Sequence, residues 1–316
     1  MSQTIHIDEI IVSNDCSTDN TKQVLENLRK EIPILKCIHQ PNNLGISKNV
    51  KACMISAKGD FIIRLDSDDM LRPDYAEELS KQLLLYPQAG YAHAAVQQID
   101  QFGNYNKIRR LSRPTGYQDS NAAIKNAVRG FKVAANIIIY RKEALVAVDY
   151  STSSVDFAED YYLTSSISSA GFGNFYLDKV LSEYRVWEDI GKTRTKRKLV
   201  EISGLSRVIT DVLEPAYKKR NWSDKPILQL RRSLAIQQSD CLSWDTYSAP
   251  EKEELKKAIF ELDSSLKVKA VSFLYQKGFG FVMDSYKNIK SSSKLMIKGL
   301  YANYRKYISQ HFPERT

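Results

Sequence analysis

At 316 residues the chain is long enough for one large domain, or a domain with an appendage, and its core needs no disulfide or metal staples. Ordinary hydrophobic (43%) and charged (26%) fractions exclude a disordered or collagen-like chain, and no apolar run approaches the roughly 20 residues of a membrane span. The formal charge of +9 favours anionic partners such as nucleotides, nucleic acid or an acidic membrane surface.

Cys16, Cys37, Cys53 and Cys241 fall at no metal-ligand spacing and read as reduced thiols of a cytosolic protein. No signal peptide opens the chain, so the expectation is a cytoplasmic protein, at most peripheral at the inner face of a membrane.

In chain order, Ile10-Ile11-Val12 reads as a core strand running into Ser13 to Thr21. That turn is dense in Asx and hydroxyl residues, which cap the helix Lys22 to Lys30 and place Asp15 at a strand end. Leu35 to His39 is the next strand, and Gln40 to Gly45 is a loop by its Pro, Asn and Gly content. Ile46 to Ala57 reads as a helix with Lys48 in its first turn, where a basic residue can meet a phosphate or simply lie solvated.

Phe61-Ile62-Ile63 is a buried strand followed by three carboxylates, Asp66, Asp68 and Asp69. Ligands of open α/β sheets sit at strand ends. Clustered carboxylates repel one another unless a cation neutralises them, and an all-oxygen set suits Mg²⁺ or Mn²⁺. The bland alternative is an Asp-rich helix cap.

A helix from Pro73 to about Tyr86 and a strand from Tyr91 to Val96 complete an alternation that indicates a mainly parallel sheet covered on both faces. Residues 97–116 read as a polar excursion, Asn121 to Arg129 as a short helix and Val133 to Tyr140 as a strand. Asp156 to Leu163 places acids at a helix N-terminus, where the dipole favours them. Phe175 to Leu177 and Val180 to Tyr184 read as short strands, with Arg185 and Trp187 just beyond.

From about residue 190 the chain turns helical, and Lys192 to Lys198 is a basic run. That run contains no aromatic residue to stack a base, which argues against nucleic acid as the partner. The stretch from Ser272 mixes Phe and Tyr with Lys and Arg. It suits an anionic membrane surface or, with more weight, a helical subdomain packed on the core or on a second copy in a homo-oligomer.

Strand-then-NDCSTDNT, the loop QPNNLGISKN, strand-then-LDSDD and the later AEDYYL follow in series over roughly Ile7 to Trp187. In that order they resemble the inverting family 2 glycosyltransferases. The resemblance implies an α/β, Rossmann-like GT-A fold over residues 1–190 and a helical C-terminal extension over residues 191–316. It further implies an enzyme that uses a nucleotide-diphosphate sugar donor, commonly UDP-linked, with Mn²⁺ or Mg²⁺ as cofactor. The acceptor is a hydroxyl of a glycan or lipid-linked glycan, as in surface polysaccharide synthesis.

By the same resemblance Asp15 matches the acid that contacts the nucleotide base. Asp66 lies near the ribose and also serves the metal, while Asp68 reaches the metal bridging the diphosphate. Asp160 is the general base and Glu159 its support.

Two departures stand out. The family's usual first strand is missing ahead of Ile5, so the sheet is expected to expose a backbone edge beside the strand that carries Asp15. Trp187 stands where many relatives place a His, leaving Arg185 or Lys192 to contact the diphosphate. The alternative reading is a defective or truncated relative acting as a binding or scaffolding subunit. Residues 97–116 and 131–140 are the candidates for the acceptor side.

Overall fold

The computed structural model describes residues 2–151, 153, 155–188 and 195–282; Lys192 and the tail from residue 283 lie outside the described residues. Two compact units divide the chain, Met1–Arg231 and Arg232–Thr316.

The first unit opens with β1 (Ile10–Asn14), α1 (Thr21–Glu31), β2 (Leu35–His39) and α2 (Ile46–Ser56). β1 and β2 pair in parallel over five residues each and form a two-stranded sheet of their own. β3 (Phe61–Arg64), β4 (Met70–Leu71), α3 (Tyr75–Leu85) and the long β5 (Ala89–Ile99) follow. Next come β6 (Tyr105–Arg109), β7 (Gly116–Gln118), α4 (Ser120–Ala127), β8 (Ile138–Arg141), α5 (Lys142–Ala147), α6 (Glu159–Ser169) and β9 (Gly173–Arg185).

Strands β3 to β9 make a seven-stranded mixed sheet whose main path runs β3-β8-β5-β9-β4. β5 and β9 are parallel neighbours, while β8 is antiparallel to both β3 and β5. The chain passes from β5 through β6, β7, α4 and the loop from Val128 to Ile137 before β8 enters against the direction of its two neighbours.

The sheet is covered on both faces, as alternation along β8 records. Ile137 and Ile139 pack with Tyr75, Leu79 and Leu83 of α3, whereas Ile138 and Tyr140 pack with Met54 of α2 and Leu163 and Ile167 of α6. Two expected strands change extent. Val133, Ala134, Ala135 and Ile137 are buried but the stretch is irregular, so only Ile138–Arg141 pairs. The two short strands expected between Phe175 and Tyr184 are one strand, β9, with irregular pairing to β5 between Ala94 and Val96.

The helical region begins within the first unit. Helix Lys198–Arg207 continues through a wider π turn, Val208–Leu213, into helix Glu214–Lys219. Gly204 lies so close to Phe157 that a Cβ there would sit 2.5 Å from its carbonyl oxygen. Arg220 donates to the carbonyls of Ser168 and Ser169 at the end of α6. These contacts explain why the compact unit extends to Arg231, past residue 190.

The second unit holds helices Ala249–Leu262 and Leu266–Gln276. The first starts at a capping box in which Ser248 and Glu251 bond reciprocally. Ser239 and Ser272 share a buried hydrogen bond of 3.0 Å in this unit.

Candidate active site

Three segments supply the site, and each ends a strand or starts a helix. The first is the turn after β1. Asp15 accepts the backbone N–H groups of Leu44 at 2.7 Å and Gly45 at 3.0 Å, so its carboxylate holds the loop that leads into α2. Gly45 takes a φ of +81°, and a Cβ there would lie 2.2 Å from Oδ2 of Asp156. Both the backbone and the space require glycine. Gly45→Ala is therefore expected to cost about 1–3 kcal/mol of stability, read by urea denaturation; an unchanged midpoint would contradict the packing. Lys48, in the first turn of α2, is exposed.

The second segment is the acidic turn after β3. The Asp69 N–H donates to the Asp66 carbonyl, which closes a turn through Ser67 and Asp68. The end of β9 pins this turn: the Arg185 N–H donates to Asp69 Oδ1 at 2.8 Å, and the Arg185 Nε donates to the Asp68 carbonyl at 3.0 Å. The same guanidinium also donates to the carbonyls of Asp100 at 3.0 Å and Gln101 at 3.2 Å. Arg185 thus brackets the acid turn from behind.

Asp69 is buried, and its Oδ2 has no hydrogen-bond partner among the described residues. Burial pushes its carboxyl up to about 7, helped by Asp68 and Asp66 and opposed by the Arg185 N–H. Asp68 accepts the Trp187 indole N–H at 2.8 Å, which is what the residue in the usual His place does here.

The third segment is the first turn of α6, entered through Ala158 in a left-handed conformation (φ +63°). Asp160 forms an ion pair with Arg64, the last residue of β3. The Arg64 Nε also reaches Asp66 Oδ1 at 3.3 Å, and Asn136 donates to Asp66 Oδ2. One guanidinium, 8% exposed, therefore joins Asp66 to Asp160.

Burial pushes the Asp160 carboxyl up to about 6; Arg64 opposes the rise while Asp66 and Glu159 add to it. Burial likewise raises Glu159, with Arg64 opposing, and the Ser47 hydroxyl lies 3.4 Å from it. Burial works against the Arg64 charge, but Asp160 and Asp66 outweigh it and hold the guanidinium firmly protonated. Ser47 and Asp156 complete the junction, with the Ser47 N–H donating to Asp156 Oδ1 at 3.0 Å.

Asp66, Asp68, Glu159 and Asp160 thus come together around Arg64 and the acid turn, whereas Asp15 and Lys48 belong to the β1–α2 side. Among the described residues no three His, Cys, Asp or Glu side chains are arranged to hold a metal ion by themselves. The donor set still fits a hard cation. Magnesium-type ions take one or two carboxylates and complete their shell with water and phosphate oxygens.

Sequence reading missed Arg64, and it touched Asn136 and Asp156 only as members of the stretches 131–140 and Asp156 to Leu163. The signal for Arg64 was available: a cation closing the apolar run Phe61–Ile63 must find an anionic partner once buried.

Known proteins share this architecture. The profile described as Glycosyl transferase family 2 matches residues 1–147. The amylovoran biosynthesis glycosyltransferase AmsE of Erwinia amylovora is 23% identical over 192 residues, 61% of this chain and 70% of that protein. Chondroitin synthase of Pasteurella multocida is 39% identical over 84 residues, 27% of this chain, and the match spans only 9% of that longer protein.

Among solved structures, S. aureus TarS 1–349 superposes with a TM-score of 0.59 at 15% identity, covering 89% of this chain and 82% of that one. TarS 1–349 has also been solved with UDP, at a TM-score of 0.52, 17% identity and coverage of 91% and 85%. These likenesses carry the fold. Over residues 1–147 the chain is thus similar to glycosyltransferase family 2, and the likeness to TarS shows a GT-A fold with a helical C-terminal region.

Proposed function

We propose that the protein is an inverting glycosyltransferase that moves a sugar from a nucleotide diphosphate to a hydroxyl of a glycan or lipid-linked glycan during polysaccharide synthesis. The observation that carries this reading is the Arg64 bridge, which holds the base candidate Asp160 beside Asp66 at the end of β3. The polysaccharide setting is supported by the likeness to AmsE, named for amylovoran biosynthesis. A uridine diphosphate donor is supported by TarS, solved with UDP and with UDP-GlcNAc.

In this mechanism Asp160 accepts the proton of the acceptor hydroxyl as that oxygen attacks the anomeric carbon from the face opposite the diphosphate. The raised carboxyl suits a base, since a proton acceptor works best near the ambient pH. Glu159 supports the turn that holds Asp160. Asp68, with Asp66, would hold a Mn²⁺ or Mg²⁺ ion, whose positive charge stabilises the departing diphosphate. Asp15 and Lys48 stand on the side assigned to the nucleotide. Because the Arg185 guanidinium is taken up by backbone carbonyls, its part in donor binding is to hold the acid turn. One displacement inverts the anomeric centre and needs no enzyme nucleophile.

The test is thermal stability with UDP, with and without Mn²⁺. A ligand at 100 times its dissociation constant stabilises the fold by about 2.7 kcal/mol, and that gain is expected to need Mn²⁺ and to vanish in Asp68→Asn. No response to any nucleoside diphosphate would favour the second reading, a binding or scaffolding relative. The observation behind that reading is that β1, which leads into Asp15, shares no sheet with β3.

A further inference from the structure

Trp187 stands just beyond β9, and its indole N–H donates to Asp68 Oδ2 at 2.8 Å. The backbone leading to it is fixed on two sides. The Val186 N–H donates to the Ile99 carbonyl at the end of β5 at 2.9 Å, and the Arg185 N–H donates to Asp69 Oδ1. Arg185 also holds the Asp68 carbonyl through its Nε. One strand end therefore places both the acid turn and the indole that meets it, the kind of support that keeps a binding side chain in a fixed geometry. The ring is 47% exposed, so it adds little to the core, and its N–H is spent on Asp68.

This bond makes the two oxygens of Asp68 unequal. Oδ2 faces the positive hydrogen of the indole, which repels a cation on that side, whereas Oδ1 accepts from no donor among the described residues. The neighbouring acids are more committed. Each Asp66 oxygen already accepts a donor, Oδ1 from Arg64 and Oδ2 from Asn136. Asp69 is buried, with Oδ1 on the Arg185 N–H. Asp68 Oδ1 thus combines free lone pairs with a side chain that is not buried. An indole donates and does not ligate, so Trp187 acts on a cation through Asp68, unlike the His that many relatives place here.

We propose that Trp187 is a positioning residue for the cation: it makes Asp68 present a single oxygen and so favours Mn²⁺ or Mg²⁺ over Ca²⁺. The inference rests on the metal-dependent reading above. Magnesium-type ions demand a near-octahedral shell with few carboxylate oxygens, whereas Ca²⁺ accepts more ligands and both oxygens of one carboxylate. The indole disfavours that two-oxygen grip. Donors that fix a ligating side chain from behind are worth about 10–100-fold in metal affinity.

The experiment measures Mn²⁺ binding to the full chain in excess UDP, from the loss of the free-ion paramagnetic resonance signal against a UDP blank. Ca²⁺ binding is read by displacement of Mn²⁺. Wild type is compared with Trp187→Phe and with the protein carrying benzothienylalanine in place of Trp187, whose sulfur replaces the N–H in a ring of the same shape. Both are expected to bind Mn²⁺ about 10–100-fold more weakly, with Ca²⁺ affinity and unliganded melting temperature unchanged. The preference for Mn²⁺ over Ca²⁺ falls by the same factor.

Unchanged Mn²⁺ binding by the benzothienylalanine protein overturns the proposal. Tighter binding does so too, by showing that the indole blocks the ion. Equal weakening of Mn²⁺ and Ca²⁺ also overturns it, because general damage to the acid turn moves both. If wild type itself binds no Mn²⁺ with UDP, the metal-dependent reading fails and this inference falls with it. If wild type binds and the variants match it, the inference about Trp187 fails by itself.

Discussion

Asp160→Asn is expected to lower the rate of sugar transfer by about 10²–10⁴-fold, the usual contribution of a positioned general base. Asparagine keeps the shape and can still accept a hydrogen bond from Arg64, but it cannot take a proton. Nucleotide binding should therefore persist, so the loss should fall on kcat rather than on the UDP-induced thermal shift. Wild-type activity should rise with pH through about 6 as the Asp160 carboxyl ionises, and this limb should disappear in the variant's residual rate. Turnover within threefold of wild type would remove Asp160 from the chemistry.

The same carboxyl makes a separate statement about stability. Its folded value lies above the ordinary 3.8, so the protonated form is favoured by folding. That contribution is complete below about 3.8 and is lost as pH rises through about 6. Without ligands, this carboxyl alone is expected to subtract stability over that window, and comparing urea denaturation of wild type and Asp160→Asn across it isolates the contribution.

Arg64→Met should be the most destabilising single change in the site. It leaves Asp160 buried without its cation and removes a donor from Asp66. Deleting one partner of a buried pair typically costs 3–5 kcal/mol. For a unit of this size that corresponds to a fall in Tm of about 10 °C, measured by calorimetry at neutral pH. Two further observations distinguish this cause from general damage. The deficit should shrink below pH 6, where Asp160 is neutral without help, and Arg64→Met combined with Asp160→Asn should be less destabilised than the sum of the single changes. A strictly additive double variant would show that the two side chains do not depend on each other.

How far the site could be read from the sequence differed by residue. Asp66, Asp68 and Asp69 were legible because an apolar strand ending in three acids is a local pattern, as is an acid pair opening a helix at Glu159 and Asp160. Arg185 was legible as a position but not as a role. Its basic side chain suggested phosphate, whereas it lies against three backbone carbonyls that no spacing rule brings near it. Trp187 was visible only as a departure, and its bond to Asp68 depends on where β9 ends.

By itself, the chain's order of residues determined the strand and helix alternation of the first 100 residues, the acids at the strand ends, and the resemblance to family 2 glycosyltransferases. Those features depend on periodicity and capping, which act over a few neighbouring residues. Only the tertiary structure decided that β8 returns antiparallel, that Arg64 pairs with an acid 96 positions away in sequence, and that β1 and β3 face each other across an open slot. Pairing partners of a strand and counter-charges of a buried ion are chosen by packing across the whole unit, and that choice leaves no mark on local pattern.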